Sequence, residues 1–325
     1  MGTSCEKGSG DMPRRCNLIT DSCCDLTKEY LDDNEVTCLH FSYVEADKED
    51  GGLSGTDDLF QARSAHEFYE AIRKGATPMT SQPSQGEFDK VFRAAIDSGI
   101  PTVYLAFSSG ISGCYDGAMA VLGRLKEEKG ADIPLYIVDL RVGSTTQSLF
   151  ITEAVRQRDK GLTAQQLVRW AEEARYYVHT TFMVDDLNAL KRGGRIPSGV
   201  AAAGSLLDVK PLLTFDLDGK LSIMGVARGR KKAIRKMAEF YEKNHNADIY
   251  SAVAAIGNAD CPHDVERLED LIHKTDDSTR FIETSIGPTI GCHVGPGMMS
   301  CCFWGDDRRK GISVQDRIAN DVRKS

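Results

Sequence analysis

The sequence has no CxxC spacing among its ten cysteines, which fall as two adjacent pairs, Cys23-Cys24 and Cys301-Cys302, and as singles. That pattern indicates neither a zinc site nor a disulfide framework, and buried, reduced thiols are expected. No run of about 18 apolar residues is available to span a bilayer, and Met1 to Cys16 is polar, without the apolar core of a signal peptide. The expectation is a cytoplasmic protein with no stable membrane insertion. Basic residues are in the minority, and the net charge of -8 argues against a nucleic-acid footprint. The usual nucleotide cradles, GxGxxG and GxxxxGK(S/T), are missing, as is the GxSxG spacing of a nucleophile elbow. Paired carboxylates suited to metal-assisted phosphoryl transfer are lacking too. No internal repeat is present. These absences leave a soluble protein expected to need no metal or cofactor and to perform no transfer alone.

What is present is the composition of an ordinary globular protein, 41% hydrophobic and 27% charged. A length of 325 residues, at roughly 150 residues per domain, suggests two domains. Residues 1–15 read as a disordered leader. Cys16 to Thr20 makes a short apolar strand stopping at Asp21-Ser22. A helix from Gln85 to about Ser98 carries Phe88, Val91, Phe92 and Ala95 on one face, and a strand follows from Thr102 to Phe107, stopping at Ser108-Ser109. A helix from about Gly113 to Glu128 leads to the strand Leu135 to Val138, ending at Asp139. Alternating strands and helices imply a parallel sheet with crossover helices, whose ligands sit beyond the carboxyl ends of the strands. Asp21-Ser22, Ser108-Ser109 and Asp139 would share that edge. Residues 34–62 read as an irregular, acidic insertion or hairpin without chemistry.

Thr163 with Gln166 fits a capping box opening a helix and, on this reading, a second domain over residues 159–305. The first domain then covers residues 16–158. The second contains strands Thr180 to Val184, Val209 to Phe215 and Lys220 to Val226, with a hairpin signal at Asp216-Leu217-Asp218-Gly219. It also contains a helix of small residues from Val200 to Leu207, a basic helix with Ile234, Met237 and Tyr241 inward, and strands Ile249 to Ile256 and Met299 to Trp304. Residues 306–325 form a charged tail.

Three stretches concentrate chemistry. Thr77 to Ser84 and Ser108 to Gly113 place hydroxyls and backbone amides just before helices, where unpaired N–H groups and the helix dipole suit an anion such as a carboxylate. Each also reads as an ordinary helix cap. The third, Ile286 to Gly297, sets His293 among glycines and prolines and reads as a site loop. Arg192, Arg195 and Arg228 have the geometry to hold a phosphate or an acidic partner, or they are solvated surface charges.

In order along residues 17–304, Ile19-Thr20-Asp21-Ser22, Thr80-Ser81-Gln82-Pro83-Ser84, Ser108-Ser109-Gly110-Ile111-Ser112-Gly113, Leu190-Lys191-Arg192-Gly193-Gly194-Arg195-Ile196, Val209-Lys210-Pro211-Leu212-Leu213, Arg228-Gly229-Arg230-Lys231-Lys232-Ala233 and Ile286 to Gly297 resemble the DegV proteins. That family includes the fatty-acid-binding subunits of bacterial fatty acid kinase. The resemblance implies an N-terminal parallel-sheet α/β/α sandwich and a C-terminal α/β domain with a mixed sheet. A long-chain fatty acid would lie between them, its carboxylate at the domain junction. It implies that Thr80, Ser108, Ser109, Gly110, Ser112 and His293 surround the carboxylate, with Arg228 close to the head group. A separate kinase catalytic subunit would convert the acid to an acyl phosphate, with an acyltransferase as acceptor of the product. The chain would thus be a carrier and not an enzyme. Cys114, Gly117, Asp208 and Cys292 depart from the family's usual residues, which bears on tunnel shape. A serine-dependent hydrolase or phosphotransferase using Ser109 with His293, and a lipid-sensing regulator, are the alternative readings.

Overall fold

The computed structural model describes residues 14–45, 48, 52–185, 187–196, 208–250 and 252–311. The expected leader up to residue 13, the expected helix Val200 to Leu207 and the tail beyond residue 311 lie outside the described residues. The first seven strands are β1 (Asn17–Asp21), β2 (Val36–Leu39), β3 (Ser42–Val44), β4 (Gly55–Thr56), β5 (Met79–Ser81), β6 (Thr102–Ala106) and β7 (Leu135–Asp139). The helices among and after them are α1 (Lys28–Asp33), α2 (Ala65–Arg73), α3 (Gln85–Asp97), α4 (Cys114–Lys129), α5 (Thr145–Asp159) and α6 (Ala164–Ala174).

Strands β2, β1, β6 and β7 form a parallel sheet in that order. Their side chains alternate between two cores, as the pleat requires. Ile19, Tyr104 and Ala106 pack under α3 and α4 with Phe88, Phe92 and Val121. Leu18, Val103 and Leu105 pack on the other side with Leu149 and Phe150 of α5 and Leu167 of α6. The result is an α/β/α sandwich. Both halves of the capping box at Thr163 and Gln166 are formed, and the helix they open lies on this first sheet.

Residues 34–62 are more regular than expected. Val36–Leu39 is an edge strand of the parallel sheet, with Val36 and Leu39 buried, while β3 and β4 join β5 in a small antiparallel sheet. Strands of two to four residues are too short to carry a periodic signal among acidic neighbours.

The C-terminal half continues with β8 (Val178–Met183), α7 (Asn188–Arg192), β9 (Val209–Phe215), β10 (Leu221–Arg228), α8 (Arg230–Asn244), β11 (Val253–Asn258), α9 (Pro262–His273), β12 (Arg280–Ser285), α10 (Pro288–Val294) and β13 (Met299–Trp304). Its sheet runs β10-β9-β8-β13-β11-β12 and is mixed, with only β11 and β12 parallel. Met183, Ile256 and Phe303 face α8 and α9. The opposite face, with Ala255, Cys302 and Trp304, joins the same core as α5. Helix α5 is therefore a shared layer between the two sheets, which explains why Thr145 to Ile151 are all buried. No described helix is long and apolar enough to cross a membrane.

Candidate functional site

The carboxyl ends of β1, β6 and β7 bring Asp21, Ser108-Ser109 and Asp139 to one edge. Asp21 is fully buried, accepts hydrogen bonds from the Phe107 amide at 2.8 Å and the Tyr104 hydroxyl at 2.9 Å, and ties β1 to the chain after β6. Burial raises its carboxyl to about 6, against the pull of those donors. The Ser109 hydroxyl donates to Asp139 Oδ2 at 2.6 Å and its amide to Oδ1 at 3.1 Å, with the side chain at the surface. The Ser108 hydroxyl donates to the Gly219 carbonyl at 2.8 Å and accepts from the Gly110 amide at 3.2 Å.

That contact belongs to a latch between the two halves. The expected hairpin turn lies between β9 and β10 and is held by Asp216, whose Oδ1 accepts from the amides of Asp218 and Lys220, each at 2.9 Å. Gly219 has φ +77°, a conformation that glycine adopts without strain. A Cβ on Gly110 would lie 2.5 Å from the Gly219 carbonyl oxygen and 2.7 Å from the Lys220 nitrogen. Arg141 adds a hydrogen bond to the Leu217 carbonyl at 3.0 Å. The latch seats Phe215 and Leu221, on either side of the turn, over a cavity.

The cavity includes about 660 Å³ of space unfilled by atoms, with the open solvent at its mouth counted in. Phe41, Phe107, Ile111, Phe182, Phe215 and Ile290 supply apolar wall from both halves. At its mouth stand Thr80, Ser112, Arg195 and His293. Ile111, Ser112, Arg195 and Leu221 also line a wider groove outside, so the mouth opens there. Thr80 Oγ1 lies 2.8 Å from His293 Nε2. A Cβ on Gly193 would sit 3.1 Å from His293 Cε1 and closer to Nδ1, so the ring is seated against the bare backbone of the Gly193 turn. Burial, with the Arg195 charge nearby, lowers His293 to about 4, leaving a neutral imidazole at pH 7. The Ser112 oxygen accepts from the Cys114 amide at 3.2 Å, leaving its proton to donate elsewhere.

Ile286 to Gly297, expected to be a loop, contains helix α10. Pro288 occupies its first turn, where a missing N–H costs nothing. Two buried carboxylates hold the helix start: Asp25 Oδ1 accepts from the Gly287 amide at 2.8 Å and Asp57 Oδ2 from the Thr289 amide at 2.9 Å. Asp25 also accepts from the Ser144 hydroxyl at 2.5 Å. Burial pushes Asp25 up to about 8 and Asp57 up to about 6. Residues upstream of β5 thus fix the helix that delivers His293. Neither aspartate was singled out from the sequence. Asp25 follows the Asp21-Ser22 stop, but Asp57 sits in the acidic stretch read as surface.

Of the residues expected at the carboxylate, the structure brings Thr80, Ser112 and His293 together and adds Arg195. Ser108 and Gly110 are engaged in the latch, and Ser109 faces Asp139. Arg192 lines a separate surface pocket with Cys292 and Pro296, and Arg228 is exposed at the end of β10, away from the cavity wall. Among the described residues one group has metal-ligand spacing, His66, Glu70 and Asp260, but Asp260 is already paired with Arg73.

The profile of the family described as uncharacterised protein, DegV family, matches residues 15–306. A DegV domain-containing protein of Clostridium perfringens is 32% identical over 291 residues, covering 90% of this chain and 98% of its own. A solved structure of a stearic acid-binding protein from Eubacterium ventriosum is similar with TM-score 0.76 and 26% identity, covering 88% of this chain and 97% of that one. A fatty-acid-binding DegV family protein from Thermus thermophilus gives TM-score 0.76 and 25% identity, covering 90% of this chain and all of that one.

Proposed function

Because the chain belongs to the DegV family and encloses an apolar cavity with a polar, cationic mouth, we propose that it binds a long-chain fatty acid with the carboxylate at Thr80, Ser112 and Arg195. The observation that carries this reading is the pairing of that mouth with walls drawn from both halves of the chain. The fatty-acid binders among its structural neighbours support it. A tail of about fifteen methylenes buried at about 0.8 kcal/mol each contributes on the order of 10 kcal/mol before entropy costs, so the tail sets affinity. The head group sets orientation. A neutral His293 donating from Nε2 to Thr80 Oγ1 leaves the Thr80 proton to point at the carboxylate. Uncharged donors hold both a carboxylate and its phosphorylated form, with Arg195 drawing the anion to the mouth.

On this reading the protein is a carrier for a separate fatty acid kinase. The catalytic subunit brings ATP, a carboxylate oxygen attacks the γ-phosphorus, ADP leaves and the acyl phosphate stays with the carrier for an acyltransferase. The open groove outside Ser112 and Arg195, with Ser109 and Lys220 on its rim, gives the kinase its approach. Arg228 and the exposed Lys231, Lys232 and Arg235 are available to an acidic partner surface. A Ser109 nucleophile would need His293 beside it, whereas Ser109 is bonded to Asp139 and His293 to Thr80. The test is ADP release with stearate-loaded protein, ATP and the kinase subunit of the same organism. Release that requires all three supports the carrier. Turnover without the subunit, abolished by Ser109→Ala, sinks it.

A further inference from the structure

The inner end of the cavity is more polar than a hydrocarbon tail calls for. Thr145 and Thr146 of α5, Thr180 of β8 and Ser300 of β13 all line it. Thr145 Oγ1 lies 2.8 Å from Ser300 Oγ and 3.2 Å from Thr284 Oγ1. Thr146 Oγ1 lies 2.7 Å from Thr180 Oγ1 and 3.1 Å from Cys302 Sγ. Ser300 and Thr180 also hydrogen-bond the Cys302 sulfur, so the groups form one network that uses its protons internally, while its oxygens keep lone pairs able to accept a further hydrogen bond.

Thr289, 2% exposed and lining the cavity, turns its hydroxyl to Asp57 and adds no unpaired donor. A ligand hydroxyl placed in this space can donate to a wall oxygen, whereas an oxygen without a proton finds no donor there.

Charge decides which oxygen. The buried carboxyl of Asp57, charged at pH 7, stands directly behind this end through the Thr289 amide, and a second anion would face it. Arg195, the cation of the cavity, is at the mouth. Thr289 and His293 lie four residues apart on α10, about 6 Å of helix rise, so the two ends are distinct.

From this we infer that the cavity selects an acyl chain bearing an uncharged hydroxyl part-way along its length, held at the Thr146–Thr180 and Thr145–Ser300 pairs while the carboxylate stays at the mouth. The inference rests on the fatty-acid reading above. Because the wall hydroxyls also satisfy one another, the preference is modest, about tenfold, the equivalent of one net hydrogen bond.

The test is competition binding of stearic acid against 3-, 10- and 12-hydroxystearic acids, on the full-length protein and on a Thr146→Val, Thr180→Val variant. The expected result is that at least one hydroxy acid beats stearic acid by about tenfold on the native protein, and that the ratio falls to about one in the variant. Affinities are compared within each protein, so any common loss cancels. Stearic acid binding as tightly as every hydroxy acid overturns this inference and leaves the fatty-acid reading standing, as does a preference that survives the double substitution. Binding of none of the four acids overturns both. Should the variant fail to fold, the native ratio alone decides.

Discussion

Replacing Gly110 by Ala perturbs the latch at one atom. The added Cβ would lie 2.5 Å from the Gly219 oxygen and 2.7 Å from the Lys220 nitrogen, and both are backbone atoms that no side-chain rotation removes. Ordinary non-bonded contacts between heavy atoms sit near 3.5–4.0 Å, so the hairpin must withdraw by about 1 Å. A shift of that size stretches the 2.8 Å bond from Ser108 to the Gly219 carbonyl and the 3.0 Å bond from Arg141 to the Leu217 carbonyl. It also lifts Phe215 and Leu221 from the cavity. Overpacking of this kind costs about 1–3 kcal/mol. The expected outcome is a lower thermal midpoint together with release of bound stearate about tenfold faster, followed by displacement with excess competitor. Gly123, with nothing near its Cβ position, serves as the control for alanine itself. An unchanged midpoint and release rate for Gly110→Ala would refute the claim that the hairpin closes the site.

At the mouth, Thr80→Val should weaken stearate binding about tenfold, because a hydrogen bond to a charged group contributes about 1.5–3 kcal/mol and the tail remains buried. His293→Ala should keep the lipid yet slow its phosphorylation by the kinase subunit, and loss of lipid instead would mean that His293 serves the tail. Folding stability should fall as pH rises from about 4 to 8. The folded chain keeps the Asp25 proton up to about pH 8, and those of Asp21 and Asp57 up to about 6, while the unfolded chain releases all three near 4. Asp25→Asn should flatten the stretch from pH 6 to 8 in urea unfolding, and equal slopes would contradict the buried-acid account. Removing the exposed Lys28–Asp32 pair by Lys28→Ala should change stability by no more than about 0.5 kcal/mol.

The elements legible in the sequence were helices with one buried face and short apolar strands. Helix α3 shows Phe88 and Phe92 inward and polar residues outward, while β13, buried along its whole length, was read from its apolar run and covers the same residues in pattern and structure. Helix α5 gave no such signal, because packing between two sheets buries it all round and leaves no polar stripe to set a period. The helix in Ile286 to Gly297 hid behind its glycines, since its start is held by Asp25 and Asp57, more than 200 residues upstream. At the site, residue type was legible and partner was not. Thr80 and His293 were named as head-group residues, and the structure adds that they touch. Ser108 and Ser109 carry the same hydroxyl, but Gly219 and Asp139 take them, and no spacing rule foretells a partner 111 or 30 residues away.

The central claim is that the cavity holds one long-chain fatty acid. It is tested most directly by denaturing the purified protein after incubation with stearic acid and removal of excess, then measuring the extracted acid by mass spectrometry against protein. The account predicts close to one equivalent of long-chain acid, stearic or carried through purification. Less than a tenth of an equivalent of any fatty acid would contradict it.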